Sequence, residues 1–217
     1  MSDAHDPECM PRRKLGYLSP ERMEAFSDGV IAVIITIMVL DLHVPSLEAV
    51  PGDADALHHV VKRLLLYLLS FVQVGVYWVN HHYLVDDAED VSHSVLWLNI
   101  AFLFALSLFP FATNWIGERG LTPFSVFIYS VVSFLPALLW MPLASLLRRA
   151  DRPPVNSRIK ELTSGTLYLA AVVGSFRWPH LSLTLLCVVA VFWLLPPTRM
   201  LMAHVNTPKS DRSTALH

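Results

Sequence analysis

The sequence predicts an all-α, polytopic membrane protein with six transmembrane helices per chain. Three observations carry that prediction. The 217 residues are 54% hydrophobic and only 16% charged. Their mean hydropathy is +0.48, well above that of an ordinary soluble domain. Six apolar segments, each near the roughly 20 residues that cross a hydrocarbon layer, are separated by polar punctuation.

The segments fall at 22–43, 62–82, 93–115, 122–147, 161–178 and 181–203. Ser19-Pro20-Glu21 opens the first: Ser19 suits a cap, Pro20 the first helical position, and Glu21 the positive end of the helix dipole. PSLEAVPGDAD closes it, DDAED divides the second from the third, and GERGLTP divides the third from the fourth. RRADRPPVNSR follows the fourth, and RWPH is a tight turn before the sixth. The fifth is the most dilute, since Gly165, Gly174 and several hydroxyl residues interrupt it. Pro110 in the third segment, and Pro136 and Pro142 in the fourth, remove helix hydrogen bonds and predict bends.

Residues 1–18 are polar, broken by Pro7 and Pro11, and lack an apolar core before a small-residue cleavage site. They read as a cytoplasmic tail, with 19–203 as the transmembrane body and 204–217 as a second cytoplasmic tail. Lys and Arg set the orientation, because cytoplasmic loops are enriched in them. With the amino terminus inside, Arg12, Arg13, Lys14, Arg22, Arg148, Arg149, Arg152, Arg158, Lys160, Arg199, Lys209 and Arg212 lie inside. Only Lys62, Arg63, Arg119 and Arg177 lie outside. The expectation is a multi-pass protein of the plasma membrane with both termini cytoplasmic.

Several function classes fall away. A net charge of −2 supplies no basic field for nucleic acid. Cys9 and Cys187 have neither metal-ligand spacing nor a disulfide framework. No nucleophile, base and orienting residue stand together, and there is no Gly-rich phosphate loop or H-E-x-x-H, so an enzyme is not expected. The sequence points to no cofactor and no small-molecule substrate.

The first segment is unusual because Arg22, Glu24, Ser27 and Asp28 occupy its opening turns. From Gly29 to Leu40 no charge occurs, and twelve residues rise only about 18 Å. Asp28 therefore lies at the inner edge of the membrane, where an ionisable group must face protein or water. The second segment descends to the same level in YWVNHHYL, bringing Trp78, Asn80, His81 and His82, and the third starts there with Trp97 and Asn99. Arg22, Ser27, Asp28, His81 and Asn99 are thus expected to satisfy one another. Such a cluster pins helices together or, alternatively, senses protons or gates. His82 and Asn80 also suit headgroups, and Trp97 suits an interfacial anchor. A metal site of His81, His82, Asp86 and Asp87 is disfavoured, since consecutive histidines diverge on a helix.

Val30, Val33, Ile37, Leu40 and Val44 recur at alternating spacings of three and four, which stacks them on one helix face. Nearly every neighbour is apolar too, so spacing alone does not separate this face from ordinary packing. Thr36 is the lone hydroxyl of the run. It either bonds its own backbone or points into a wet path.

The string Arg22-x-x-x-Phe26-Ser27-Asp28, an apolar helix, then Trp78-x-x-His81-His82, with Asn99 as a weaker match, closely resembles a known channel family. It is the potassium channels related to transmembrane protein 175, the lysosomal potassium and proton channel, in their bacterial form. The resemblance covers 19–203. It implies a single-repeat chain that forms a homotetramer, with the first helix of each subunit lining a central pore. It also implies potassium-selective conduction, with potassium only as the permeant ion, and a constriction at Val33, Ile37 and Leu40 beside Thr36. At position 33 the family pattern is a bulkier Ile or Leu, so the valine here leaves Ile37 or Leu40 as the narrowest ring. No T-V-G-Y-G loop is present, which rules out a filter of that kind. The competing expectation is a proton-coupled secondary transporter using Asp28 and His81. Against it, the six segments show no inverted repeat, and the charges sit at one end of the helices.

Overall fold

The computed structural model describes residues 19–40, 42, 52–86, 88, 90–148 and 158–194. Both tails, Val44 with PSLEAVP, residues 149–157 of the basic stretch and the 195–203 end of the sixth segment therefore lie outside the described residues. Among the described residues seven helices follow one another: α1 Pro20–Leu40, α2 Asp53–Asp86, α3 His93–Ser107, α4 Phe109–Arg119, α5 Pro123–Leu147, α6 Arg158–Gly174 and α7 Pro179–Leu194. The all-helical architecture is as the sequence predicts. Among the described residues four stretches are long and apolar enough to cross a membrane: α1, α2, α3 with α4, and α5. The remaining two, α6 and α7, are shorter at 17 and 16 residues.

The helix ends follow local chemistry. Pro20 opens α1, and the Arg22 amide donates to the Ser19 carbonyl at 3.1 Å. Thr122 caps α5 by accepting from the Ser125 amide at 3.2 Å, and Pro123 follows at the first turn. Gly120 ends α4 with φ of 72°, a conformation that a side chain disfavours. The Ser92 hydroxyl caps α3.

Two expected spans differ from what is observed. The third is not one helix: α3 stops at Ser107, Leu108 bridges, and α4 restarts with Pro110 in its first turn. Pro110 has no amide to give the preceding turn, and the Leu108 amide bonds the Ala105 carbonyl at 3.3 Å, one residue short of a helical bond. Pro136 and Pro142, by contrast, remain inside a continuous α5. The second span is also longer than its apolar part. Its 34 residues begin at Asp53 and carry polar turns before the apolar run.

Helix α5 is the central post, packed against α2, α3, α4, α6 and α7. Helix α1 sits to one side, against α2, α3 and α4. The core between them is aromatic: Tyr77 meets Phe102 edge-on with centroids 5.6 Å apart, and Phe102 meets Trp140 at 5.8 Å. Hydroxyls fasten the other end, where Ser70 of α2 bonds Thr113 of α4 at 2.7 Å and Tyr129 of α5 at 2.8 Å. Burial of each bond leaves no competing water, so these residues fix register as well as contact.

Candidate pore face and its anchoring network

Helix α1 has two unlike faces. Met23, Ser27, Ile31, Ile34 and Met38, spaced by three and four, form a buried edge. At Ser27 that edge turns polar. The Ser27 hydroxyl donates to the Met23 carbonyl at 2.8 Å and accepts from Asn99 Nδ2 at 2.9 Å. Asn99 Oδ1 lies 2.8 Å from His81 Nε2. With the amide nitrogen committed to Ser27, its oxygen is the acceptor, so the histidine Nε2 proton is the donor. The result is a directed chain from α2 through α3 to α1, all three side chains being buried. The His81 ring also lies flat on Phe102, with centroids 5.9 Å apart and planes 4° from parallel.

Beside this chain a second set of contacts binds the same two helices. Asp28 Oδ1 accepts from Trp78 Nε1 at 2.8 Å, and Glu24 Oε1 lies 2.5 Å from His82 Nδ1. The Trp78 and His82 rings stack, at 6.3 Å. Glu24 and Asp28 are one turn apart on α1, while His82 and Trp78 are one turn apart on α2, in the reverse order. That is the pattern of antiparallel neighbours.

The expected five-member cluster therefore divides. Ser27, Asn99 and His81 come together, Asp28 goes to Trp78, and Arg22 is exposed outside both sets. Asp28 and His81 share no hydrogen bond, so the relay of the transporter expectation is not joined here. Trp97 is exposed and donates to His93 Nε2 of its own helix at 2.9 Å. Asn80 donates to the Val76 carbonyl at 2.7 Å. Asp87 lies outside the described residues, and among the described residues no three metal-ligating side chains converge.

Glu24 stood out in sequence as one of the opening charges, but sequence reasoning gave it no place in the cluster and no partner. Its signal was the matched four-residue spacing of Glu24 and Asp28 against Trp78 and His82. A second omission is Glu161, buried on α6 and held by Arg148 Nη1 at 3.2 Å, Arg148 Nη2 and Trp140 Nε1 at 3.3 Å. Arg148 read in sequence as a topology charge; in the fold it neutralises that carboxylate. Lys160 lies 4.6 Å from the Trp193 ring centroid.

The opposite face of α1 is bare. Val33 is 54% exposed, Ile37 46% and Leu40 77%, and Phe26 continues the stripe one heptad earlier. Thr36 takes the first of its two expected options, donating its hydroxyl to the Val33 carbonyl at 2.9 Å. Its two oxygen lone pairs remain available on the exposed side.

Fold and site together define a multi-span helical membrane protein whose first helix is fastened along one face and left apolar and uncovered along the other. Residues 22–110 match the family model described as endosomal/lysosomal potassium channel TMEM175. The chain is 38% identical over 186 residues to the potassium channel HX13_20290 of Chryseobacterium sp. strain P1-3, covering 82% of this chain and 94% of that one. It is 27% identical over 207 residues to the endosomal/lysosomal proton channel TMEM175 of Danio rerio, covering 82% of this chain but 40% of that one. Among solved structures, it superposes on a lysosomal potassium-selective channel TMEM175 homolog from Chamaesiphon minutus with a TM-score of 0.67 and 26% identity. That match spans 81% of this chain and 96% of the other. The chain belongs to the TMEM175 family.

Proposed function

We propose that this chain is the subunit of a passive, potassium-selective cation channel in which four copies bring α1 around a common axis. The observation that carries the reading is the bare stripe of α1. A helix held by buried polar bonds on its Ser27 edge is fixed in rotation, so the Phe26, Val33, Ile37 and Leu40 edge points away from its own chain. That bacterial relatives are named potassium channels supports reading this edge as the pore lining.

In this arrangement Val33, Ile37 and Leu40 form three apolar rings spread over about 10 Å of axis. A narrow apolar neck excludes water, and an ion that cannot keep its hydration shell does not pass. Opening widens or wets the neck. Potassium sheds water more readily than sodium, which makes dehydration itself selective, and the Thr36 oxygens replace part of the lost shell. The contacts of Asp28 with Trp78 and of Glu24 with His82 keep the start of α1 in register beneath the neck. Residues 19–203 form the channel body, with α6 and α7 as the fifth and sixth spans, both termini cytoplasmic and the assembly in the plasma membrane. Potassium is the permeant species and no cofactor takes part.

The test is ion flux into liposomes holding the purified protein. Potassium uptake that follows its gradient alone, and exceeds sodium uptake, is expected. Protons moving in fixed ratio with the cation would replace this reading with the coupled transporter.

A further inference from the structure

Between α2, α5, α6 and α7, on the side of the bundle away from α1, lies a cavity of about 30 Å³. Gln73, Tyr77, Trp140, Glu161, Tyr168 and Trp193 line it. Nearly every polar tip on this wall is engaged. Trp140 Nε1 and Arg148 hold Glu161, Trp193 Nε1 donates to Ser164 Oγ at 2.7 Å, and the Tyr77 and Tyr168 hydroxyls pair with each other. Gln73 differs. It is 2% exposed, and both its Nε2 and its Oε1 lack a partner among the described residues.

A buried primary amide with neither bond made is rare in folded proteins, and in a bundle surrounded by lipid no bulk water relieves it. We propose that the cavity is a binding site for one small neutral molecule of the primary-amide class, anchored by the Gln73 amide. The chemistry selects that class in three ways. Gln73 presents a donor and an acceptor side by side, and another primary amide complements both at once. The charge of Glu161 is already compensated by Arg148, so neither a cation nor an anion gains an unpaired counter-charge there and a neutral guest is favoured. The rings of Tyr77, Trp140 and Trp193 offer flat walls to a planar guest. Size agrees as well: a single water needs about 10–15 Å³ of such space, so the cavity takes roughly two waters or one molecule of about four heavy atoms.

The site is remote from the pore stripe but not isolated from its anchor. Tyr77 stands one turn from Gln73 and one from His81, and its ring meets Phe102, on which His81 stacks. An occupant therefore packs against Tyr77, one turn along α2 from the His81 whose bond to Asn99 links α2 to the anchor of α1.

Saturation-transfer NMR with acetamide on the purified full-length protein in detergent micelles tests the site directly and does not depend on ion conduction. Wild type should give a saturable signal. Gln73→Leu, which keeps the volume and removes the amide, should bind roughly tenfold more weakly, as expected for two lost hydrogen bonds. Ala137→Leu, which fills the cavity from α5, should show no saturable signal and keeps the test usable if the Gln73 variant does not fold. Acetamide should raise the thermal midpoint of wild type alone. A wild-type protein with no saturable signal holds only water there, and equal binding by Gln73→Leu removes the anchor; either result overturns the proposal.

Discussion

Asn99 is the joint at which three helices meet, and its removal separates two kinds of loss. In Asn99→Leu the His81 Nε2 proton is left buried without an acceptor, at a cost of about 1–3 kcal/mol. Ser27 is not stranded, because its own proton already goes to the Met23 carbonyl. Only the Asn99 to Ser27 bond disappears there, and an interhelical bond in a membrane averages about 0.6 kcal/mol, with a maximum near ~1.7. The single variant should therefore lose about 2–4 kcal/mol. His81→Phe keeps the stacking on Phe102 but strands Asn99 Oδ1, again at about 1–3 kcal/mol. In the double variant neither partner remains, so nothing is stranded, and the combined loss should fall short of the sum by about 2–6 kcal/mol, the two stranding costs together. Unfolding in mixed micelles by increasing sodium dodecyl sulfate, followed by tryptophan fluorescence, measures all four corners of the cycle. Losses that add to within ~0.5 kcal/mol would refute the directed chain and leave His81 and Asn99 as separate packing residues.

Four further outcomes follow from the same geometry. Ile37→Asn or Leu40→Asn places amides in the neck, and potassium and sodium fluxes should both rise while their ratio falls; unchanged flux in both variants removes α1 from the pore. Thr36→Val deletes the exposed lone pairs with little change in volume, so liposome flux should show a lower potassium-to-sodium ratio, and an unaltered ratio rejects that role. Asp28→Ala frees the half-exposed Trp78 nitrogen, costs about 1 kcal/mol or less at so accessible a contact, and should reduce the tetramer fraction in light scattering more than the flux per assembled channel. Arg148→Met leaves the Glu161 carboxylate buried and uncompensated, which should destabilise by about 3–5 kcal/mol; adding Glu161→Leu should recover most of that in the same unfolding assay.

The legibility of this protein is uneven for physical reasons. Helix α5 was readable almost to the residue, since Thr122 and Pro123 announce its start and its apolar run ends at Arg148. The division of α3 from α4 was readable only as a bend, because a proline removes one bond whether the chain then kinks, restarts or continues. Pro110 restarts the helix, whereas Pro136 and Pro142 stay inside a continuous α5. The signature residues were identifiable one by one, but their pairing was not. Asp28 had equal claim by depth on His81, Asn99 and Trp78, and only the rotation of α2 against α1 gives it to Trp78.

Composition and the order of apolar and polar segments determined by themselves that this is an all-helical membrane protein, because a buried backbone in lipid must bond within its own segment. The same local information placed the polar residues at one end of α1 and the apolar run above them. Tertiary structure alone decided which edge of α1 is covered and which is bare. Nearly every side chain in that run is apolar, so helical spacing carries no preference between edges; contact with α2 and α3 through Ser27, Asn99 and His81 breaks the tie and turns Val33, Ile37 and Leu40 outward.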